Sequence, residues 1–325
     1  MKKRILSGMR PTGKLHLGNY VGALENWVKL QGQYENFHLV ADWHLLTTDL
    51  DTSNIESDTI DLVIDWLCAG IDPNQSPIFV QSKIKEHAEL YLIFSMLVTI
   101  PRLERNPTVK EQAKDLGLDN NMVYGHLGYP VLQAADILIY KAHLVPVGED
   151  QLPHIELTRE IARRFNTTYG DVFIIPSGRV TDFSRLPGLD GRKMSKSLGN
   201  TILLSDPPEE IQQKVKRAIT DPKKIRLGDP GRPEVCNVFT YHRKFNLEEI
   251  PEIEQDCKSG ALGCVACKTN LSKKLAAYLE SFREKRIYYE QHIDEVHDII
   301  AHGNSVARQV ACETMTEVHN VMKLG

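Results

Sequence analysis

Arg4-Ile5-Leu6-Ser7-Gly8-Met9-Arg10-Pro11-Thr12-Gly13-Lys14-Leu15-His16-Leu17-Gly18-Asn19 is the stretch on which the fold turns. An apolar run breaks into a loop carrying Gly8, Pro11 and Gly13. Val21, Leu24, Val28 and Leu30 then follow at roughly helical spacing. The pattern predicts a strand over Ile5–Gly8, a glycine-containing loop, and a helix from about Asn19 to Gln33. Such a junction aims backbone N–H groups and the positive helix end at an anion. His16 and Asn19 add side-chain donors at the same place. An ordinary strand-to-helix turn gives the same pattern, so this stretch leaves both readings open. It lacks G-x-G-x-x-G and is not a dinucleotide fingerprint.

Strand and helix signals alternate through the following residues. Phe37–Ala41, Ile78–Val80 and Leu144–Val147 read as strands, with helices at about Asn54–Cys68 and His87–Val98 and a third opened by Gly148–Gln151 and running to about Phe165. The alternation implies parallel βαβ units, hence an α/β, Rossmann-like sheet. Ligands in such sheets sit at the carboxyl ends of the strands, and His16, Asp42 and His44 all fall just past strand ends. Pro101–Asn121 is polar and lysine-rich and reads as a surface insertion. After Asn200 strands fade, and charged amphipathic segments at Glu209–Ile219, Leu271–His292 and about Ser305–Met322 predict a mainly helical second domain. The expected division is residues 1–204 and 205–325.

Composition bounds the function. With 325 residues, 42% hydrophobic and 25% charged, the chain has room for a large core and two domains. A net charge of −4 excludes a globally basic nucleic-acid binder, so any RNA contact rests on local patches. Met1-Lys2-Lys3-Arg4 leads into a short strand rather than a signal sequence, and no apolar run is long enough to span a membrane. Six cysteines in that setting argue for a reducing compartment and for thiols that bind metal or stay free.

Individual residues then stand out. Asp136 lies inside the mostly apolar run Tyr129–Tyr140. A carboxylate there is costly without a partner, so it either pairs within the core or receives a ligand donor. Asp150 suits a helix N-cap or, past a strand end, a ribose hydroxyl. Arg192-Lys193-Met194-Ser195-Lys196-Ser197-Leu198-Gly199-Asn200 is a basic loop of the kind that meets a polyphosphate, or simply a solvated surface. Cys236, Cys257, Cys264 and Cys267 are spaced C-x20-C-x6-C-x2-C. Four thiolates suit a tetrahedral zinc or a cubane iron–sulfur cluster, and spacing does not choose between them. Cys68 and Cys312 stand alone on apolar helices and read as small core residues.

Taken together these residues carry a resemblance. His16-Leu17-Gly18-Asn19 resembles the HIGH motif of class I aminoacyl-tRNA synthetases, with Asn19 where the motif has its second histidine. Lys193–Ser197 matches their KMSKS motif in full. Ser7–Gly13, Asn19–Leu24, Ala134–Leu138, Val147–Gln151 and His154–Arg159 extend the likeness to the bacterial tryptophanyl-tRNA synthetases, over residues 4 to about 324. The resemblance implies tryptophan activation with Mg-ATP and transfer to tRNA(Trp). It implies catalytic roles for His16, Asn19, Lys193 and Lys196. ATP contacts would fall at Arg10, Pro11, Thr12, Gly18, Asn19, Gly148, Glu149, Asp150, Leu186, Lys193, Met194, Ser195, Lys196 and Ser197. Asp136 would receive the indole N–H, with Tyr129, Gln133, Gln151 and His44 nearby. A subset of these enzymes holds a [4Fe–4S] cluster near the anticodon-binding surface on cysteines matching Cys236, Cys257, Cys264 and Cys267, which moves the metal reading from Zn2+ to iron–sulfur. A cytoplasmic homodimer is also implied. A tyrosyl-tRNA synthetase shares the fold and both motifs, although Ala134–Leu138 and Gly148–Gln151 favour tryptophan. A non-catalytic, RNA-binding paralogue is disfavoured by two intact motifs.

Overall fold

The computed structural model describes residues 2–118, 121–180 and 186–324. Five strands form one parallel sheet: β1 (Arg4–Met9), β2 (Glu35–Val40), β3 (Ile78–Val80), β4 (Leu144–Val147) and β5 (Ser177–Val180), in the order β3-β2-β1-β4-β5. Met9 pairs with Val40, and Val40 with Val80, so three strands end level at their carboxyl side. The four strands read from the sequence are present. β5 was not legible, because Ser177-Gly178-Arg179-Val180 is a half-exposed edge strand without apolar alternation.

Two compact units interleave along the chain. Met1–Gly13, Asn26–Asp182 and His292–Gly325 make the first, and Lys14–Glu25 with Phe183–Gln291 the second. The sheet and the long helix Ile293–Met322 belong to the first. Its core lies between the sheet and the helices Glu86–Ser95, Tyr124–Ile139 and Leu152–Tyr169, where Phe37, Phe79, Phe94, Tyr140 and Phe165 are almost wholly buried. On another side of β2, Trp27 stacks on His38 at 5.0 Å and Trp66 meets the same ring edge-on. Burial pushes the His38 imidazole down to about 3, which keeps this ring neutral between the two indoles.

Pro101–Asn121 is not a plain loop: it holds the helices Ile100–Glu104 and Pro107–Asp115, its residues 119 and 120 lying outside the described ones. Proline at the first turn and Asn106 as N-cap start the second helix. The first helix of the sequence reading is also more broken than its spacing suggested, passing through a π-turn at Tyr20–Leu24 before Glu25–Leu30. The second unit is helical, including Pro208–Arg217, Asn237–Phe245, Ile250–Ser259, Cys264–Tyr278 and Glu280–Gln291. Lys14–Glu25 joins it through the backbone: Leu17 N–H donates to Ile202 O and Leu204 N–H to Leu15 O, both at 2.9 Å. Among the described residues no helix is long and apolar enough to cross a membrane.

The open edge of β3 is closed by the long C-terminal helix. Asn304 Oδ1 accepts the Val80 N–H at 2.9 Å, and Gly303 lies against the Ile78 carbonyl. A Cβ on Gly303 has no room, since its neighbour is strand backbone. Gly303→Ala therefore costs about 2–3 kcal/mol, read as a lower urea midpoint. Gly32→Ala, whose added carbon meets nothing within 4 Å, leaves the midpoint where it was.

Candidate active site

In the first unit the strand order reverses between β1 and β4, the switch point at which open α/β sheets bind ligands. Arg10 follows β1, its Nη1 donating to Thr48 Oγ1 at 3.1 Å. Pro11 is buried and Thr12 exposed. Gly148, Glu149 and Asp150 follow β4 and are exposed, while Gln151 donates from Nε2 to Asp150 Oδ2 at 3.1 Å. Asp150 is not the N-cap of the next helix. A 3-10 turn over Glu149–Gln151 comes first, Gln151 takes the cap position, and no side chain caps it. Asp42, also past a strand end, is used structurally: its Oδ1 accepts the backbone N–H groups of Trp43 and Ser82, each at 3.0 Å.

Asp136 is the centre of a buried polar network. His87 Nδ1 donates to its Oδ1 at 2.6 Å, His44 Nε2 to its Oδ2 at 2.8 Å, and Gln81 Nε2 reaches both oxygens at 2.8 and 2.9 Å. His87 Nε2 lies 2.7 Å from the Tyr140 hydroxyl, and Tyr140 stacks on Phe37. Burial alone would raise the Asp136 carboxyl, but the hydrogen bonds from His44 and His87 outweigh it and hold the group down to about 2. A carboxylate offers about four lone-pair sites, and these four contacts, two on each oxygen, occupy them, with Gln81 Nε2 shared between both oxygens. The sequence reading had His44 and Asp136 but missed Gln81, His87 and Tyr140. Gln81 stands directly after β3, a position the strand-end rule could have flagged.

Tyr129 lies about two turns before Asp136 on the same helix, with Gln133 half-buried between them. Its hydroxyl is 2.8 Å from His154 Nε2, and His154 Nδ1 is 3.2 Å from Asn106 Nδ2. Tyr129 also lines a cavity of about 220 Å³ with Trp43, Leu46, Thr47, Tyr91 and Leu132.

The second unit brings the two motif loops into contact. His16 Nδ1 accepts the Asn19 N–H at 3.3 Å, and Asn19 Oδ1 accepts the His16 N–H at 3.1 Å, a reciprocal cap of the helix start. The two side chains are thus partly spent on each other. Because Nδ1 accepts, the His16 proton is on Nε2, which stays a donor. Burial, and then the nearby Lys196 ammonium, pull this imidazole down to about 4. Gly18 N–H points at Met194 Sδ at 3.3 Å, and Lys196 Nζ donates to Lys14 O at 2.9 Å. Asn200 shapes the basic loop: Oδ1 accepts the Ser195 N–H at 2.8 Å, and Nδ2 donates to Asp190 Oδ1 and Lys193 O. Ser195 and Ser197 share a hydroxyl hydrogen bond at 2.9 Å, Lys193 and Lys196 are exposed, and Leu186 is buried. Asn200 is 4% exposed and carried no signal beyond its place in the motif stretch.

Cys236, Cys257, Cys264 and Cys267 converge in this unit. Burial first, and then the proximity of the other three, push the Cys267 thiol up to about 12. Cys267 Sγ is also 3.4 Å from His242 Nε2. Among the described residues no group of three or more His, Cys, Asp or Glu side chains is closed around a metal position. All six cysteines are free thiols. Cys68 is buried as read, whereas Cys312 is not a core residue: it is exposed, with its thiol on Glu86 Oε1 at 3.2 Å, because it lies on the outer face of the long helix.

Comparison with known proteins gives a consistent result. The family model described as tRNA synthetases class I (W and Y) matches residues 1–280. The tryptophan–tRNA ligase of Thermotoga maritima is 53% identical over 329 residues, covering 99% of both chains. That of Aquifex aeolicus is 44% identical over 393 residues, covering 99% of this chain and all of the relative. The crystal structure of tryptophanyl-tRNA synthetase from Campylobacter jejuni complexed with ADP and tryptophan has a TM-score of 0.90 at 32% identity, over 99% of this chain and 100% of that one.

His16 supplies a direct check on the loop contact. The expected NMR titration midpoint of its imidazole is about 4 rather than near 6.5, the ring being neutral at neutral pH. Lys196→Met raises the midpoint, yet leaves it below 6.5, because burial is the larger cause. An unshifted midpoint would separate the two loops.

Proposed function

The chain belongs to the class I tRNA synthetases for tryptophan and tyrosine, and from that premise we propose that it is a tryptophan–tRNA ligase with its amino-acid site around Asp136. The carrying observation is the buried, ionised Asp136, an acceptor held by His44, Gln81 and His87 at the strand ends of a chain whose full-length relatives are named tryptophan–tRNA ligases. An indole N–H donates to Asp136 in place of one of the two contacts from Gln81, and an analogue without it loses that hydrogen bond. Tyr129, Gln133, Gln151 and His44 surround the amino acid.

The tryptophan carboxylate attacks the α-phosphorus of ATP, forming the adenylate and releasing pyrophosphate. A terminal ribose hydroxyl of tRNA(Trp) then attacks the adenylate carbonyl. Neither step needs a protein nucleophile, so the chain's work is orientation and charge stabilisation. Arg10, Pro11, Thr12, Gly18, Asn19, Leu186 and Gly148–Asp150 hold the nucleotide. His16 donates from Nε2 and Asn19 from its amide, while Lys193 and Lys196, beside Met194, Ser195 and Ser197, neutralise the departing pyrophosphate. Mg2+ on the phosphates shares that charge.

Cys236, Cys257, Cys264 and Cys267 hold a [4Fe–4S] cluster in this reading, with Zn2+ as the alternative. What supports it is the donor set: four thiols close enough that, after burial, the neighbouring cysteines push the Cys257 and Cys267 thiols up. These four residues would hold the metal centre between the start of the helix Asn237–Phe245 and the helices Ile250–Ser259 and Cys264–Tyr278. By function the chain divides at residue 204 into a catalytic part and an anticodon-binding part. A homodimer is supported by the exposed Leu92, Met96, Ile100, Val123 and Tyr124 of the first unit. A cytoplasmic location is supported by six free thiols.

In tryptophan-dependent ATP–pyrophosphate exchange, Asp136→Ala raises the KM for tryptophan roughly 10–100-fold with little change for ATP, and equal effects on both would remove Asp136 from this role. Lys196→Ala lowers the exchange rate roughly 100-fold while tryptophan still binds. Tyrosine-dependent exchange would instead point to the tyrosyl member of the family. For the metal, protein purified without oxygen carries four irons and four acid-labile sulfides per chain. One zinc without sulfide, or neither metal, would overturn the cluster.

A further inference from the structure

The segment Pro101–Asn121 carried no function in the sequence, yet its second helix begins beside the amino-acid site. Asn106 is fully buried, and its Oδ1 accepts the Thr108 N–H at 3.0 Å. A backbone N–H can only donate, so the amide orientation is fixed: oxygen toward Thr108, nitrogen toward His154. Asn106 Nδ2 can only donate to His154 Nδ1, at 3.2 Å. With Nδ1 accepting, the neutral His154 ring carries its proton on Nε2. Its burial, and then His44, pull the imidazole down to about 4, so the ring is neutral at working pH. His154 Nε2–H then donates to Tyr129 Oη at 2.8 Å. Tyr129 keeps its own O–H and one lone pair for whatever lies beyond. Thr108 Oγ1 donates to the Asp150 carbonyl at 2.8 Å, so the same helix start also braces the turn after β4.

We propose that Asn106 and His154 are positioning residues of the amino-acid site, a one-way hydrogen-bond relay that sets the polarity of the Tyr129 hydroxyl toward the amino acid, with Thr108 fixing its first member. This rests on the reading of Tyr129 as a tryptophan contact. The relay orders direction as well as place: an imidazole in the other tautomer would take the Tyr129 proton as acceptor and leave the hydroxyl with lone pairs only for the ligand. Tyr129 resists ionisation, since burial raises its pKa, so the hydroxyl acts as donor and acceptor and not as phenolate.

The test has two readouts. Ring 15N shifts of His154 report the tautomer without substrate: a protonated Nε2 is expected in the wild-type chain, and a protonated Nδ1 overturns the relay. In ATP–pyrophosphate exchange, His154→Leu raises the KM for tryptophan about 5–30-fold while the KM for ATP stays within 2-fold. His154→Gln, which keeps a donor toward Tyr129, recovers most of the loss. In a Tyr129→Phe background His154→Leu adds nothing further, because its effect passes through that hydroxyl. A full additional loss there overturns the proposal. If Tyr129→Phe alone leaves the tryptophan KM unchanged, the reading of Tyr129 fails instead, and the tautomer result still decides whether the relay exists.

Discussion

A carboxylate buried among apolar side chains must be paid for in hydrogen bonds, and Asp136 organises the first unit around that requirement. Its donors come from three different places: His44 from the short helix after β2, Gln81 from the turn after β3, and His87 from the helix Glu86–Ser95. Each donor ties one of these elements to the helix Tyr124–Ile139. Removing any one would strand part of a buried ion, so the constraint acts on all of them together. Asp42 repeats the device on a smaller scale, holding the backbone N–H groups of Trp43 and Ser82 and so joining the loops after β2 and β3. The strand ends are rigid because polar groups lock them, and rigidity is what a site working by orientation needs.

The second unit handles charge in the opposite manner. Lys193 and Lys196 stay exposed at the surface, Lys196 with its ammonium on the Lys14 carbonyl, while the backbone beneath them is fixed by an uncharged amide. Asn200 uses its oxygen and nitrogen on Ser195, Lys193 and Asp190, and its bulk leaves no room for a side chain at Gly188. A loop held by its backbone with exposed cationic side chains presents charge to a phosphate without the desolvation cost that a buried ion pair carries.

What the sequence disclosed, and what it withheld, follows the same physics. Four strands were legible because buried parallel strands are short apolar runs. β5 was not, because an edge strand need not be apolar. Asp136 was visible as a polar residue out of place, but its partners Gln81 and His87 were not, since histidine and glutamine near strand ends look ordinary until the fold brings them within 3 Å. His16 and Asn19 were read from the sequence as side-chain donors, and their use in capping one another, through His16 Nδ1 and Asn19 Oδ1, was not visible there. Cys312 misled because an apolar helix has an outer face, and one residue does not tell which face it occupies.

The segment after Pro101 shows how far this reaches. Its lysines and polar residues satisfied every rule for a solvated loop, and most of them are exposed. The informative residues were the ordinary triplet Asn106-Pro107-Thr108, a standard helix start. What distinguishes it is the use of the same amide twice. The oxygen that caps the helix fixes the nitrogen that orients His154, so a local folding signal becomes a constraint on a tautomer several ångströms away. Proton positions of this kind are written in no single residue. They emerge where a donor that cannot accept, a backbone N–H, begins a chain whose every later member has only one direction left.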